Sequence, residues 1–420
     1  MVPKGWTETY LGEVITHKKG FAFNSDSYRD KGIRIVRISD TTRNSVHSEN
    51  PVYLAEEDAN GLENYKLTKD DIILSTVGSR PHLLDSMVGK AVKVPLEADG
   101  SLLNQNLVKV IPKASKITNE YLYEMLKNNR FIFFISTLVR GNANQVSITL
   151  SDLFQYQFVL PPLPEQKKIA QILSTWDKAI TTTEQLLANS QQQKKALMQQ
   201  LLTGKKRLLD KNGVRFSGEW KDVEFGKVLK EVKRPVDWND DAEYKLLSVK
   251  RRSEGVVLRE VLKGSAILTK KMNVAHSGDF LISKMQIVHG AAGLVSDEFD
   301  GFHVSDSYIS LIPKDESKLN IHFFAWFAKQ KLMYHKAFLC SYGVHIEKMT
   351  FNFKLFLKEK IRVPVSIEEQ QKIAAVLSSA DQEISALQQK LDALKQEKKA
   401  LMQQLLTGKR RVKIDDKEVA

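Results

Sequence analysis

One segment of this chain occurs twice, with a constant offset of 204 residues and no gap between the copies. Pro164–Arg207 aligns with Glu368–Arg411, and more than half of the aligned positions are identical. Within the segment, KKALMQQLLTGK is repeated unchanged at Lys194–Lys205 and at Lys398–Lys409. A rigid spacer must keep its length, whereas a flexible linker tolerates insertions. We therefore predict that each copy forms one rigid element of the same length.

The spacing of apolar residues predicts that this element is a long α-helix. Apolar side chains recur at alternating steps of four and three, which places them on one stripe of a helix. Pro164 and Pro364 mark the starts, Gly204 and Gly408 follow the last turns, and Lys and Arg cluster at the C-terminal ends. Each helix should span about 40 residues, or roughly 60 Å. The predicted seam consists of Ile169, Leu173, Trp176, Ile180, Leu187, Leu197, Leu201, Ile373, Leu377, Ile384, Leu387, Leu391, Leu394, Leu401 and Leu405.

A stripe this narrow is best buried by another helix, and the other copy is the obvious partner. The alternative is that each helix packs on its own domain or on another chain. If the first helix leads away from one domain and the second returns from the next, the pair should be antiparallel. Lys194 and Lys398 lie on the stripe, where a lysine weakens the seam but can fix its register. If the two helices overlap along their whole length, Lys398 would lie opposite Trp176, and we hypothesise a cation–π contact between them.

The rest of the chain repeats more loosely, in the same order but with a drifting offset. Short runs of Ile and Val with Gly punctuation read as strands, and a helix-like segment closes each half. These features predict a mixed α/β chain (α+β) with two similar globular domains, two long helices forming an antiparallel coiled coil, and internal pseudo-twofold symmetry. The predicted division is 1–160 for domain 1, 161–207 for the central helix, 208–363 for domain 2 and 364–420 for the C-terminal helix and tail. The matching pairs are Trp6 and Trp220, Leu11–Gly12 and Phe225–Gly226, DIILS from Asp71 and DFLIS from Asp279, VIPK from Val110 and LIPK from Leu311, and NEYLYEML from Asn119 and NIHFFAWF from Asn320.

Charge and cysteine content restrict the partners and the compartment. Lys and Arg exceed Asp and Glu by thirteen, so a polyanion is the expected partner, with nucleic acid first and an anionic membrane second. The single cysteine, Cys340, excludes an internal disulfide framework and a multi-cysteine zinc site. Apolar runs fall short of the roughly 20 residues that span a membrane. We expect a soluble, cytoplasmic protein.

Motifs for catalysis are missing from the sequence. It contains no GxxxxGK[ST] loop, no GxGxxG turn, no HExxH pair and no Asn or Asp before Pro-Pro-aromatic, so no catalytic residue, metal ligand or cofactor is predicted in this chain. Cys340 beside Phe338 and Leu339 reads as core. One weak signal remains, because Asp306 followed by Glu316 and Lys318 imitates the acidic-acidic-lysine set of a Mg²⁺ nuclease. Such spacings arise by chance in a chain with 27% charged residues.

The doubled signature PPLPEQKKIAQIL…LLTGK resembles the DNA-specificity subunit of type I restriction-modification enzymes. The two divergent domains that it separates both begin with Trp…Leu/Phe-Gly-x-Val, and the resemblance covers nearly the whole chain. It implies a non-catalytic subunit in which two target-recognition domains each read half of a bipartite, asymmetric DNA site. It also implies docking of two methyltransferase subunits on the helices, and of motor-nuclease restriction subunits through them. S-adenosylmethionine, ATP and Mg²⁺ would then belong to these partners, which methylate adenine and restrict DNA. The second copy departs from the signature at VPVSIEEQ, so its helix start is less well defined.

Residues that contact DNA are harder to assign. Lys and Arg on loops serve phosphates at many geometries, whereas base readers are Arg, Asn, Gln or His at a groove edge. An ordinary solvated side chain is an equally good account of each candidate. The candidates in domain 1 are Arg37, Arg43, Arg80, Asn144 and Gln145, and those in domain 2 are Lys250, Arg251, Arg252, Lys284, Gln286 and His345.

Two other hypotheses remain open beside a DNA-recognition subunit. The chain could be a coiled-coil scaffold whose basic domains bind RNA or another protein without any link to methylation. It could also be a stand-alone nuclease that uses Asp306, Glu316 and Lys318. Methyltransferase genes beside this one would favour the first hypothesis, strong single-strand binding the second, and DNA cleavage with Mg²⁺ alone the third.

Overall fold

The computed structural model describes residues 2–42, 44–47, 49–83, 86–140, 146–343 and 349–414. Its contacts divide the chain into two compact units. Unit 1 comprises Met1–Glu184 together with Lys390–Ala420, and unit 2 is Gln185–Gln389. Each unit therefore contains one globular part and a portion of both long helices, whereas the boundaries predicted from the sequence leave each helix whole.

Unit 1 is a mixed α/β structure. The runs IRIVRIS, DIILSTVG, KAVKV and NLVKVI all contain strands, as their alternation of β-branched residues predicts. Its strands are β1 (Thr7–Tyr10), β2 (Ile15–Lys19), β3 (Ile33–Val36), β4 (Val52–Leu54), β5 (Ile72–Ser75), β6 (Val77–Gly78), β7 (Ala91–Lys93), β8 (Leu102–Leu103), β9 (Leu107–Pro112), β10 (Val146–Ser147) and β11 (Gln157–Leu160). Its helices are α1 (Leu11–Val14), α2 (Asn119–Leu126), α3 (Asn129–Leu138) and α4 (Leu150–Leu153). It also contains the first part of α5, which spans Leu163–Leu201 in full, and the last part of the second long helix.

Unit 2 is also a mixed α/β structure. Its strands are β12 (Trp220–Glu224), β13 (Leu229–Val232), β14 (Glu243–Lys250), β15 (Gly255–Lys263), β16 (Met272–Ala275), β17 (Phe280–Ser283), β18 (Ala292–Leu294), β19 (Phe302–Ser305), β20 (Tyr308–Pro313), β21 (Ser341–Tyr342), β22 (Thr350–Phe351) and β23 (Lys360–Pro364). Its helices are α6 (Phe225–Val228), α7 (Ile321–Ala328), α8 (Lys331–Leu339) and α9 (Phe353–Phe356). It also contains the last part of α5 and the first part of α10, which spans Ile367–Leu405 in full. The predicted mixed α/β class is confirmed.

The main sheets of the two units share their strand order. In unit 1 the main antiparallel sheet runs β2-β9-β5-β7, a smaller sheet runs β4-β3-β8, and β1 pairs with β11. In unit 2 the main sheet runs β13-β20-β17-β18 in the same order and β12 pairs with β23, but the second sheet, β15-β14-β19-β16, has one strand more than its counterpart. The two-stranded sheets also differ, because β10 pairs with β6 in unit 1 whereas β22 pairs with β21 in unit 2. The loose sequence repeat is therefore a repeat of the main-sheet topology.

The long helices have equal length, as the gapless repeat predicts. Each has 39 residues, α5 starting at Leu163 and α10 at Ile367. A buried glutamine fixes each start. The Gln166 side chain accepts a hydrogen bond from the backbone N–H of Thr118 and donates to the carbonyl of Pro161, at 2.9 and 2.8 Å. Gln370 does the same in unit 2, so the helix keeps its start although the sequence there departs from the first copy.

The N-caps of α2 and α7 correct one detail of the sequence alignment between the two halves. Thr118 caps α2 and Asn320 caps α7, and both donate their backbone N–H to the equivalent glutamine. Their offset is 202 residues, one more than the alignment of NEYLYEML with NIHFFAWF predicts. Consequently Glu124 in α2 and Trp326 in α7 occupy the same position in the two units.

Every helix in the described part of the chain is too short or too polar to span a lipid bilayer.

Candidate nucleic-acid interface

The cationic turn between β14 and β15 is the best-defined candidate surface in unit 2. Lys250, Arg251 and Arg252 are exposed and consecutive. Arg252 and Ser253 have φ values of 59° and 56°, a left-handed conformation that residues with a side chain rarely adopt. Such a conformation persists only where the surroundings hold it. The backbone N–H of Arg252 donates to the carbonyl of His289 at 2.7 Å, and that of Ser253 donates to the carbonyl of Gly290 at 2.9 Å.

These backbone bonds bring a second pair of candidates next to the turn. Lys284 and Gln286 lie in the segment that leads from β17 to His289. Lys284 donates from Nζ to the backbone carbonyl of Asp306 at 2.5 Å. Gln286 is half-buried, and its Oε1 atom is buried without a hydrogen-bond partner among the described residues. The structure thus groups Lys250, Arg251 and Arg252 with the 284–290 segment, which the sequence alone did not indicate.

The nuclease-like set has other contacts. The Asp306 carboxylate accepts a hydrogen bond from Asn273 Nδ2 at 3.0 Å, and Lys318 forms an ion pair with Asp315 at 3.1 Å. Glu316 is exposed on the turn between β20 and α7. Within the described ranges, no group of three His, Cys, Asp or Glu side chains could hold a metal ion.

Candidates in unit 1 are less well grouped. Arg37 donates from Nε and Nη2 to the buried carboxylate of Asp40, at 3.1 and 2.9 Å, and from Nη2 to the carbonyl of Asn50. Hydrogen bonding to Asp40 raises the pKa of Arg37, and only Nη1 remains for an external phosphate. Arg80 is exposed in the loop that follows β6. Three other unit 1 candidates lie outside the described residues: Arg43, Asn144 and Gln145. The unit 2 candidate His345 lies outside them as well.

None of the predicted seam residues is exposed. The ends of the helices join the cores of the globular parts, since Ile169, Leu173 and Leu405 belong to the unit 1 core and Leu201, Ile373 and Leu377 to the unit 2 core. Packing on the domains, the alternative considered above, therefore accounts for part of the stripe. The buried seam positions are Ile169, Leu173, Leu187, Leu201, Ile373, Leu377, Leu391 and Leu405, and the half-buried ones are Trp176, Ile180, Leu197, Ile384, Leu387, Leu394 and Leu401.

In each unit the lysine on the stripe bonds a carboxylate of the opposing helix. In unit 1, Lys398 Nζ lies 2.5 Å from Asp177 Oδ2 and 3.3 Å from Glu124 Oε2, and we call these three residues lysine cluster 1. No cation–π contact between Lys398 and Trp176 is found among the described residues, and the ammonium bonds the adjacent Asp177. Burial, followed by the nearby Asp177 charge, raises the pKa of Glu124 despite the opposing effect of Lys398.

Unit 2 has the equivalent lysine in a different environment. Lys194 forms an ion pair with Asp381, and its Nζ lies 5.1 Å from the centre of the Trp326 ring. Lys329 lies over the same ring at 4.1 Å and pairs with Asp381 at 3.4 Å. We call Lys194, Asp381, Trp326 and Lys329 lysine cluster 2. Burial lowers the pKa of Lys329, and the neighbouring Lys194 adds to this effect.

The arginine that follows the C-terminal end of each long helix forms an ion pair with a glutamate in the first turn of the other long helix. Arg411 binds Glu165 with two nitrogens and lies over Trp6 in unit 1, and Arg207 binds Glu369 in the same way near Trp220 in unit 2. Arg207 and Arg411 are 204 residues apart in the sequence, as are Glu165 and Glu369, and also Asp177 and Asp381. This shared offset was a signal in the sequence that could have identified the ion pairs.

The pairing in both units shows antiparallel helices. In unit 1 the contacts join residues 165 and 177 to 411 and 398, and in unit 2 they join 194 and 207 to 381 and 369. Later residues of one helix thus meet earlier residues of the other, within each unit.

Unit 1 also contains an open groove of about 950 Å³ between α10, the start of α3 and β11. Seven basic and three acidic side chains line it, over a floor that includes Met402 and Leu406. Arg130, Lys399 and Lys409 on its wall have no carboxylate partner among the described residues. This surface is positive and partly apolar.

Comparison with known proteins agrees with this architecture. The family model described as type I restriction modification DNA specificity domain matches residues 3–189 and again 218–396. A Methanocaldococcus jannaschii protein assigned as the MjaX type I restriction enzyme specificity subunit is 25% identical over 98% of this chain and 95% of its own length. The EcoBI specificity subunit of Escherichia coli is 21% identical over 88% of this chain and 77% of its own length.

Solved structures show the same fold. The S subunit of a type I restriction-modification system from M. genitalium superposes with a TM-score of 0.60 at 14% identity, over 96% of both chains. A chain from a structure of type I restriction-modification complex assembly has a TM-score of 0.52 at 18% identity, over 98% of this chain and all of that one. Because the family model matches most of the chain, in two copies that follow the internal repeat, this protein belongs to the type I restriction-modification DNA specificity family and is a non-catalytic DNA specificity subunit.

Proposed function

We propose that the chain reads a bipartite, asymmetric duplex target, with one half-site for the globular part of each unit. The observation that supports this is the repeat itself: the main sheets of the two parts share a strand order, but the parts differ in their second sheets and side chains. Different readers on the same framework would recognise different bases. The equal length of α5 and α10 supports a fixed, unread gap between the half-sites.

The readers in unit 2 would be Lys250, Arg251 and Arg252 with Lys284 and Gln286. His345, which lies outside the described residues, remains a further candidate. Long cations at an exposed turn suit phosphate contacts, whereas Gln286 could bond a base edge. In unit 1 the proposed readers are Arg37 and Arg80, together with Arg43, Asn144 and Gln145. The net charge of +13 supports a polyanionic ligand of this kind.

The partners would be two methyltransferase subunits docked on the long helices, with motor-nuclease subunits bound through them. The positive, partly apolar groove of unit 1 supports a protein contact on α10. S-adenosylmethionine, ATP and Mg²⁺ would be bound by those partners, which would methylate adenine and restrict unmethylated DNA.

Genome-wide mapping of adenine methylation tests the proposal. The map is measured at base resolution with the gene intact, deleted, and restored as wild type. A two-part motif with a fixed gap should be methylated only when the gene is present. A motif that persists in the deletion strain would contradict the proposal, and so would a gene-dependent motif without a gap.

A variant in the cationic turn links that motif to unit 2. Arg252→Ala should weaken binding of the motif by the purified complex and reduce the slope of log affinity against log salt by about one unit. Lys221→Ala is the matched control, because Lys221 on β12 is an exposed cation already paired with Glu219. An unchanged slope for Arg252→Ala would remove it from the set of phosphate contacts.

A further inference from the structure

Three segments of unit 2 meet behind the cationic turn. The Tyr334 hydroxyl on α8 lies 2.7 Å from Ser253 Oγ in the turn. The Tyr334 ring also lies against Gly290, where a Cβ would come within 2.2 Å of ring carbon Cε1. Gly290 adopts φ 76° and accepts the N–H of Ser253. Tyr334 therefore touches both the turn and the 284–290 segment that carries Gln286.

This arrangement accounts for the unusual backbone of the turn. Two consecutive left-handed residues, Arg252 and Ser253, need external contacts to persist. Two backbone bonds to His289 and Gly290 supply part of the restraint, and the hydrogen bond between the Ser253 and Tyr334 side chains ties the turn to α8. The hydroxyl thus restrains the segment that presents three exposed cations.

The fold itself does not require a tyrosine at this place. Helix α3 is the counterpart of α8 in unit 1, and the N-caps Asn128 and Gln330 align them. By that alignment Tyr334 corresponds to Ile132, which has no hydroxyl. A side chain that packs is enough to build this helix, and the hydroxyl adds only the bond to the turn.

We propose that Tyr334 is a positioning residue for target recognition by unit 2. Its hydroxyl holds the Lys250–Ser253 turn in register with the 284–290 segment, so that the cations and Gln286 meet one half-site as a preformed surface. This inference rests on the proposed reading of DNA by that surface. Loss of the hydroxyl should reduce base discrimination in one half-site only, because the cations remain while their placement relaxes.

The experiment uses the chain assembled with its methyltransferase partners and a pool of duplex DNA with randomised positions. Bound duplexes are selected and sequenced for the wild-type, Arg252→Ala, Tyr334→Phe and Ser253→Ala complexes. The half-site that Arg252→Ala weakens identifies the part read by unit 2. Tyr334→Phe should lower the preference for the correct bases of that half-site by about fivefold, the size expected for one hydrogen bond.

Two readouts separate positioning from a general loss of structure. The salt slope of Tyr334→Phe should equal that of wild type, because no phosphate contact is removed. The double variant Tyr334→Phe/Ser253→Ala should discriminate no worse than either single variant, because both remove the same bond. Tyr244→Phe is the matched control, since its hydroxyl bonds Asn239 elsewhere in unit 2. It should leave the selected motif unchanged.

The outcomes distinguish the two proposals. If the wild-type complex selects no two-part motif, the proposed function fails. If wild type selects one but Tyr334→Phe leaves both half-sites unchanged, or weakens both equally, the positioning role is overturned. It is also overturned if Arg252→Ala changes neither half-site, because the turn would then not be a reader.

Discussion

Lysine clusters 1 and 2 place the same helix residue in two different environments. Lys398 and Lys194 belong to the unchanged twelve-residue repeat, and each bonds the equivalent aspartate. The third neighbour differs, because Glu124 of α2 stands where unit 2 has Trp326 of α7. The Lys398 side chain is 8% exposed between two carboxylates, whereas Lys194 is 23% exposed and shares Asp381 with Lys329.

The difference shows where the two halves of the molecule have diverged. The helix contributes lysine and aspartate in both units, and the globular part contributes either an anion or an aromatic face. Both can accept an ammonium, one by an ion pair and the other by its π-electrons. The repeated helix thus keeps the same lysine and aspartate beside two different recognition domains.

Replacing each of the two lysines should give the largest difference in stability between the two clusters. Lys398→Met leaves Glu124 buried without its cation, and removal of one partner from a buried pair costs about 3–5 kcal/mol. Lys194→Met should cost only about 1 kcal/mol, because Asp381 is more exposed and keeps Lys329. Hydrogen exchange measured by mass spectrometry should show loss of protection in α2 for the first variant and a smaller loss in α7 for the second.

The matched control is Lys399→Met, one residue further along α10, where the lysine has no carboxylate partner in the described structure. It should leave protection in α2 unchanged. Equal losses for Lys398→Met and Lys194→Met would show that Glu124 and Trp326 serve the lysine equally well.

Several of these features follow from the sequence and others do not. Equal helices, their apolar stripe and the main strands depend on local spacing, which is visible in one chain. Lysine cluster 1 joins residues 124, 177 and 398, and no local pattern relates positions so far apart. The one-residue error in aligning α2 with α7 arose because only the caps, seen in three dimensions, define the register.

The candidate DNA surface likewise has some features that follow from the sequence and others that do not. A run of three cations at Lys250–Arg252 is evident from the sequence, but its left-handed backbone and its contact with the 284–290 segment depend on tertiary hydrogen bonds. Arg37 is bound by Asp40 three residues later, a spacing that could have indicated an internal ion pair before the structure was known.

The arginines at the helix ends should give the next largest effect. Glu369 is 1% exposed, and no side-chain donor other than Arg207 is seen to bond its carboxylate, so Arg207→Ala should destabilise unit 2 by about 2–3 kcal/mol. Glu165 keeps a hydrogen bond from Trp6 Nε1 at 3.2 Å, and Arg411 is more exposed. Arg411→Ala should therefore cost about 1 kcal/mol in unit 1.

Hydrogen exchange at the first turns of α10 and α5 would measure the two losses. Trp6→Phe combined with Arg411→Ala removes the remaining donor to Glu165, and should bring the loss in unit 1 close to that in unit 2. If Arg411→Ala alone is as damaging as Arg207→Ala, the indole bond does not protect Glu165.

A smaller effect should come from the aromatic ring of lysine cluster 2. Trp326→Phe keeps a ring in the core but loses the hydrogen bond from Nε1 to Ser378 and weakens attraction to two lysines. We expect a loss of about 1–2 kcal/mol, seen as reduced exchange protection in α7. Trp238→Phe is the control for loss of an indole elsewhere in unit 2, because Lys270 lies 5.9 Å from the centre of its half-buried ring and its Nε1 bonds Asp240. It should leave exchange protection in α7 unchanged.

The smallest effect, and the one that distinguishes the clusters by chemistry, is a dependence on pH confined to unit 1. Burial raises the pKa of Glu124 above its value in the unfolded chain, in a site that also contains Asp177, Lys398, Lys127 and Tyr123. A carboxyl with a raised folded pKa contributes stability below its unfolded pKa of about 4.5 and loses that contribution as pH rises through the folded pKa. Glu124→Gln mimics the protonated form and does not titrate. Its thermal midpoint relative to wild type should therefore increase between pH 4.5 and pH 8, whereas Trp326→Phe should keep a constant difference. A Glu124→Gln difference that is constant or falls with pH would mean that pairing with Lys398 outweighs burial.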